Sequence, residues 1–169
     1  ALRRLTAHDQ DSKVKEAALE CIGTTVAVYG RQLGSGRQLA ISSILCDRLN
    51  NEVTRLATVR ALIRIAVSDQ SDVLEPSMNR MTTIVGSFLR KSNPTLRLAA
   101  IEFLGASPPL SPDNDPMLLT NVSDLVADGD LRLASLSLKM CTRLVRSRGA
   151  PICDLLARDN GIYERVLNL

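Results

Sequence analysis

The stretch KVKEAALECIG, residues 13–23, decides the fold because a closely similar pattern occurs four times along the chain. The copies begin at Val14, Thr54, Leu96 and Leu131, which are 40, 42 and 35 residues apart. In every copy a basic residue stands second, and a pair drawn from Ala, Ser and Thr stands fourth and fifth. The first, fourth, fifth, eighth and ninth positions share one face of a helix. One hairpin cannot bury such a stripe alone, so the pattern predicts helical units that stack on one another.

Helix boundaries follow from the residues around each copy. Typical N-cap residues precede the copies: Asp11, Asn51, Asn93 and Asp128. We call the helices that contain the copies B helices and expect them over about residues 12–29, 52–67, 94–105 and 130–147. We expect A helices over Arg37–Asn50 and Asp72–Lys91, from Asp115 to about Ala127, and from Pro151 to near Asn160.

Alternating A and B helices with a period of about 40 residues are typical of HEAT and armadillo repeats, and the pattern D-x-x-V-[RK]-x-A-A favours HEAT. The sequence therefore predicts an all-α fold, a right-handed α-solenoid of about four A/B helix pairs that forms one segment over residues 1–169. The segment Ala1–Leu5 begins without Met and reads as helical, so we expect a fragment of a longer superhelix. A generic helical bundle is the alternative, and four copies in register disfavour it.

Composition argues against several classes of function. Only 2% of the residues are aromatic and the net charge is +3, which suits neither a base-stacking nucleic-acid platform nor a typical enzyme core. The four cysteines lack CxxC spacing and His8 is the single histidine, so we expect neither a zinc site nor a disulfide framework. Free thiols in a reducing compartment are expected instead. No apolar run reaches the length of a membrane span, and we expect no signal peptide.

Motifs for catalysis are also missing from the sequence. The Gly-rich stretch Leu33–Arg37 lacks the phosphate-binding pattern, and no nucleophile elbow occurs. His8 reads as a surface turn residue, and Cys21, Cys46 and Cys141 read as packing residues on helices. We therefore expect no enzymatic activity, no metal and no cofactor. The Pro-rich connection over residues 105–116 is either a binding loop or, as we favour, a spacer between hairpins.

Basic side chains on the B helices are the candidate partner-binding residues, since these helices usually line the surface with which a solenoid binds its partners. Four of them share one stripe of the last B helix, and two form an i,i+4 pair on the second. The six residues are Arg60, Arg64, Arg132, Lys139, Arg143 and Arg146. The alternative is a solvated face, or ion pairs between adjacent repeats, for which the motif arginines Arg55, Arg97 and Arg132 are well placed.

Three stretches resemble a particular family. Asp11–Gly23, Arg48–Leu62 and Ser87–Lys91, the last followed by Thr95–Leu98, match in order and spacing the central HEAT repeats of the cullin-associated, neddylation-dissociated proteins. The resemblance is good from about Leu2 to Leu104, and beyond Gly105 the repeat pattern continues with fewer local matches.

The resemblance implies a non-enzymatic superhelix that wraps a cullin–RING scaffold lacking its ubiquitin-like modifier and promotes exchange of substrate receptors. It implies a protein partner rather than nucleic acid or a membrane, and we expect a cytoplasmic and nuclear location. A nuclear-transport receptor of the karyopherin type and the scaffold subunit of a phosphatase are the alternatives with related architecture. A HEAT-like DNA glycosylase is disfavoured because it needs aromatic side chains to hold a base.

Overall fold

The computed structural model describes residues 11–108, 111–126 and 128–158, and all regular structure in these ranges is helical. The α-helices are α1 Ser12–Tyr29, α2 Ser35–Leu49, α3 Arg55–Ala66, α4 Met78–Phe88, α5 Pro94–Ala106, α6 Asp115–Ser123, α7 Leu131–Arg148 and α8 Ala150–Arg158. Three 3-10 helices lie at Gly30–Gln32, Ser71–Ser77 and Pro112–Asn114. The helix expected at Ala1–Leu5, the turn expected at His8 and the helix end near Asn160 lie outside the described residues.

The helices form two layers. The B helices α1, α3, α5 and α7 pack against one another in chain order, and the A helices α2, α4, α6 and α8 form the second layer. The A helices α2, α4 and α6 also pack against the B helices α3, α5 and α7 that follow them. Each unit therefore contacts its neighbours in the manner of a repeat protein, and the predicted all-α solenoid is confirmed.

Small residues of the repeated pattern allow the B helices to approach closely. Gly23 is buried, and a Cβ atom placed on it would lie 2.9 Å from the Cα and Cβ atoms of Ala61 on α3. Ala18 and Ala100, both at the fifth position of the pattern, are also buried. The fourth copy differs from the first and third. Its fourth position, Ala134, is buried and its fifth, Ser135, is exposed, so α7 presents a slightly different face to its neighbours.

Substitution Gly23→Ala is expected to destabilise the fold by about 1–3 kcal/mol, because the added methyl group overlaps backbone atoms of Ala61 that cannot rotate away. Gly36→Ala is the control, since a Cβ atom on Gly36 meets nothing within 4 Å. Urea unfolding followed by circular dichroism measures both free energies of unfolding. Equal midpoints for the two variants would contradict the close approach of α1 and α3.

The helix predicted over Asp72–Lys91 is wrong at both ends. Residues Ser71–Ser77 form a 3-10 helix, α4 begins at Met78, and the chain turns after Phe88. Pro76 explains the break, because proline has no N–H to donate and disfavours the α conformation in the residue before it.

Two of the four predicted N-caps are confirmed. The Asp11 carboxylate accepts a hydrogen bond from Lys13 N at 2.7 Å, and the Asn93 side chain accepts one from Leu96 N at 3.0 Å. The cap predicted at Asp128 is wrong, because Asp130 caps α7 by accepting from Arg132 N at 2.9 Å. The cap predicted at Asn51 is also wrong: its side chain accepts from Val53 N in a turn that precedes α3.

The described part of the Pro-rich connection packs against the A layer. Asn114 is buried and accepts a hydrogen bond from the Thr83 hydroxyl of α4 at 2.9 Å. Asp115, the first residue of α6, is buried and accepts from Arg148 Nε at 2.9 Å. These contacts tie the end of the connection to α4 and α7, as expected of a spacer rather than a free loop.

Candidate partner-binding face

The B-helix face is the surface formed by the exposed side chains of α1, α3, α5 and α7, and all six candidate residues lie on α3 or α7. These two helices are not neighbours, because α5 packs between them. The six residues therefore form two groups, and the structure gives different surroundings to the members of each group.

The pair on α3 lies beside acidic residues of α1. Arg64 donates a hydrogen bond to Glu20 Oε1 at 3.3 Å and another to the Thr24 hydroxyl. Arg60 is exposed and lines a recess together with Glu16 and Glu20. The positive charge of this pair is therefore largely balanced within the chain, and the ion pair is an exposed one that contributes little to stability.

The motif arginines connect neighbouring units. Arg132 on α7 donates to Glu102 Oε1 on α5 at 2.6 Å, and Arg97 on α5 donates to Asp128 Oδ2 at 2.8 Å. Arg55 lies with its guanidinium 4.9 Å from the centre of the Phe88 ring and donates to the Leu49 carbonyl at 3.3 Å. The alternative role considered for these arginines, as links between adjacent repeats, is the one that the geometry favours.

Arg143 holds the end of the preceding B helix. Its guanidinium donates to the carbonyl oxygens of Leu104 at 2.8 Å, Gly105 at 2.7 Å and Ser107 at 2.5 Å. The last carbonyls of a helix have no partner inside the helix, and they favour a nearby positive charge. Burial lowers the pKa of Arg143. Its contacts make Arg143 a capping residue for α5.

A sequence signal for this cap exists but is indirect. The last turn of α5 contains no basic residue of its own, and the Pro-rich connection follows directly. Such an end is favourable for a cation from another helix, and Arg143 lies on the next B helix along the chain. A wheel drawn for α7 alone could not separate Arg143 from Lys139 and Arg146.

Lys139 and Arg146 are the members of the stripe that remain available to a partner. Both are exposed, and neither makes a hydrogen bond or ion pair with any residue in the described ranges. Together with Ser135 and Thr142 they line a shallow recess along α7. This recess is the part of the B-helix face with the least balanced positive charge.

The cysteines have two kinds of surroundings. Cys46 is buried, and burial raises its pKa; burial also raises the pKa of Cys141 from 9.0 to about 11. Cys21 and Cys153 are both exposed. The prediction that Cys21 packs in the core is therefore wrong. Cys21 lines an apolar groove between α1 and α2 together with Ile41 and Ile44.

At pH 8 a thiol reagent is expected to label the exposed Cys21 and Cys153 rapidly. Cys46 and Cys141 are expected to react slowly, because burial limits access to both thiols and raises their pKa. Burial raises the pKa of Cys141 from 9.0 to about 11, so the folded state holds this proton more tightly than the unfolded chain does. The corresponding contribution to the free energy of unfolding is present below pH 9 and is lost as pH rises through about 11. Mass spectrometry of peptides after timed labelling measures the four rates. Labelling of Cys141 as fast as Cys21 would contradict its burial.

Among residues 11–108, 111–126 and 128–158, no group of three or more His, Cys, Asp or Glu side chains could hold a metal ion. In the same ranges no helix has the length and apolar character needed to cross a membrane.

Several known proteins that are similar to this chain share one name. Cullin-associated NEDD8-dissociated protein 1 of Arabidopsis thaliana is 30% identical over 173 aligned residues, covering 99% of this chain and 14% of that protein. Cullin-associated NEDD8-dissociated protein 2 of Rattus norvegicus is 35% identical, and the match covers 99% of this chain and 13% of that protein. Protein 1 of Drosophila melanogaster is 32% identical, and the match covers 98% of this chain and 13% of that protein. The chain therefore spans about one seventh of the length of these relatives. No family model matches it.

The fold has a counterpart among solved structures. A crystal structure of an engineered protein superposes with a TM-score of 0.69 at 12% sequence identity, covering 95% of this chain and 67% of that one. At this identity the likeness concerns the fold alone. The resemblance to the cullin-associated family is confirmed by the sequence matches alone: along almost its whole length the chain is similar to a segment of the cullin-associated NEDD8-dissociated proteins.

Proposed function

We propose that this chain is a non-enzymatic scaffold segment that binds a cullin–RING assembly lacking its ubiquitin-like modifier. The observation that supports this most is the similarity over 98–99% of the chain to plant, mammalian and insect proteins named as cullin-associated and NEDD8-dissociated. Within a whole protein, the segment acts as part of a longer superhelix that promotes exchange of substrate receptors in the cytoplasm and nucleus.

The mechanism uses shape and charge rather than a reactive group. Stacked units present an extended face, and a face of this kind binds an elongated partner at several separated points. Lys139 and Arg146 supply positive charge that the chain does not balance internally, which favours an acidic surface on the partner. Charge of this kind affects the association rate and partner choice more than the affinity. A protein partner is favoured over nucleic acid, since the chain has only two Tyr and two Phe, and nucleic-acid platforms stack bases on aromatic residues.

A binding experiment with two partners tests the proposal against the karyopherin alternative. The purified chain is immobilised and offered either an unmodified cullin–RING complex or the GTP-loaded small GTPase of nuclear transport, and biolayer interferometry records binding. We expect concentration-dependent binding of the cullin complex and none of the GTPase. Binding of the GTPase alone would replace the cullin proposal with the transport-receptor one.

A further inference from the structure

A groove crosses the B-helix face between α3 and α7. Its volume is about 400 Å³ and its floor is mainly apolar. On one side lie Ile63 of α3 and Val67, which directly follows that helix, and on the other side lies Leu136 of α7. The part of α5 that lies beneath it contributes Gly105 and Ala106.

Two glycines at the same position of the repeated pattern have different neighbours, and one of them lines the groove. Gly23 and Gly105 both stand tenth in their copies. A Cβ atom on Gly23 would meet Ala61 at 2.9 Å, whereas one on Gly105 would meet nothing within 4 Å. The small residue on α1 therefore brings the next helix close, while the small residue on α5 leaves an opening above the helix.

The groove is lined by apolar side chains that the described residues do not cover completely. Val67 is 68% exposed at the end of α3, although most large apolar side chains of the chain are buried. Ile63 and Leu136 are only partly buried. Ile101 and Met140 are 1% exposed and form the deep wall. An aliphatic side chain placed here would remove additional apolar surface from water, which is the main favourable term in association.

The rim of the groove is positively charged. Lys139 lines it and makes no ion pair with a described residue, and the Arg143 guanidinium lies at the same edge with only neutral carbonyls as partners. Among the described residues that line the groove, one carries a carboxylate, Glu102. Its carboxylate lies 2.6 Å from the Arg132 guanidinium, which balances its charge. The net positive potential favours a carboxylate next to whatever enters the groove.

We propose that this groove is an anchor site for a partner segment that inserts one aliphatic side chain, with a carboxylate beside it that pairs with Lys139. The inference rests on the proposed function in one respect, that the B-helix face meets a protein partner. It adds the chemistry of the segment that is recognised and the residues that recognise it.

Methyl NMR of the chain, labelled at Ile, Leu, Val and Met, tests the anchor site without any cullin. The probe is a short synthetic peptide with one Leu flanked on both sides by Glu, and it is compared with peptides that have Ser for Leu or Lys for Glu. We expect the Leu/Glu peptide to shift the methyl signals of Ile63, Val67 and Leu136. Both altered peptides are expected to bind about tenfold more weakly or not at all.

Two variants and one control locate the binding. Gly105→Leu fills the groove from below and is expected to abolish the peptide-induced shifts, and Lys139→Glu is expected to weaken binding about tenfold. Gly36→Leu is the matched control, because Gly36 lies on a helix facing open space and does not line the groove. The control is expected to bind the peptide as the unaltered chain does.

Several outcomes would overturn the anchor site. The first such outcome is a set of peptide-induced shifts confined to other methyl groups. The second is unchanged binding by both groove variants, and the third is binding of the Lys peptide as tight as that of the Leu/Glu peptide. Shifts of the same methyl signals on concentrating the chain alone would show a second copy in the groove, which also overturns it. Because the titration contains no cullin, a negative result leaves the proposed function standing. Conversely, peptide binding without cullin binding keeps the anchor site and overturns the proposed function.

Discussion

Substitution Arg143→Met is expected to lower the free energy of unfolding by about 2–3 kcal/mol, while Arg146→Met, three residues further along α7, leaves it almost unchanged. The first change removes three hydrogen bonds from a cation to the carbonyl oxygens of Leu104, Gly105 and Ser107. The second removes an exposed side chain that has no hydrogen bond with the described part of the chain. Methionine retains most of the length and apolar contact of the arginine stem in both cases.

Urea unfolding followed by circular dichroism compares the two variants directly. They have the same change of residue type and charge on the same helix, so a difference between them reports the environment alone. An equal, small loss of stability in both would show that Arg143 does not cap α5. An equal, large loss would show that the stripe as a whole stabilises α7.

The double substitution Lys139→Glu and Arg146→Glu is expected to slow association with an unmodified cullin–RING complex about tenfold at low ionic strength, with little effect on stability. Both side chains are exposed and unpaired within the described residues, so reversing them turns the most positive part of the B-helix face acidic. The difference from the unaltered chain is expected to shrink as salt is added, because salt screens exposed charges.

Stopped-flow kinetics over a range of salt concentrations measures this effect. The matched control is the double substitution Arg90→Glu and Lys91→Glu, which makes the same change in net charge at two exposed residues in the connection between α4 and α5. We expect the control to reduce the rate much less. Equal slowing by both double variants would show that overall charge, rather than the B-helix face, determines the association rate.

The repeated layout could be predicted from the sequence because its signals are local. Each signal lies within a few residues of sequence: the pair of small residues in each copy, the cap at Asp11, and the cap at Asn93 followed by Pro94 at the start of α5. The division of the expected Asp72–Lys91 helix could also have been predicted, since Pro76 lies inside it. The shift of the last cap from Asp128 to Asp130 was less accessible, because both residues are typical N-caps. In the structure the Asp128 carboxylate accepts from Asp130 N at 3.0 Å and pairs with Arg97, 31 positions away in sequence.

The candidate site was less predictable because its members depend on contacts between helices. On a helical wheel, Arg132, Lys139, Arg143 and Arg146 are equivalent basic residues of one stripe. In the structure Arg132 pairs with Glu102 and Arg143 caps α5, and these roles require knowledge of how α5 and α7 pack. The opening above Gly105 is of the same kind, since its sequence position matches that of the tightly packed Gly23.

An equilibrium titration of the labelled chain with the same cullin–RING complex, in its unmodified and NEDD8-modified forms, tests the proposed recognition most directly. We expect saturable binding to the unmodified complex and binding at least about tenfold weaker to the modified one. We also expect the Lys139→Glu and Arg146→Glu double variant to bind the unmodified complex more weakly than the Arg90→Glu and Lys91→Glu variant does. Equal affinity for the two forms of the complex, or no binding to either, would contradict the proposal that this segment recognises an unmodified cullin scaffold.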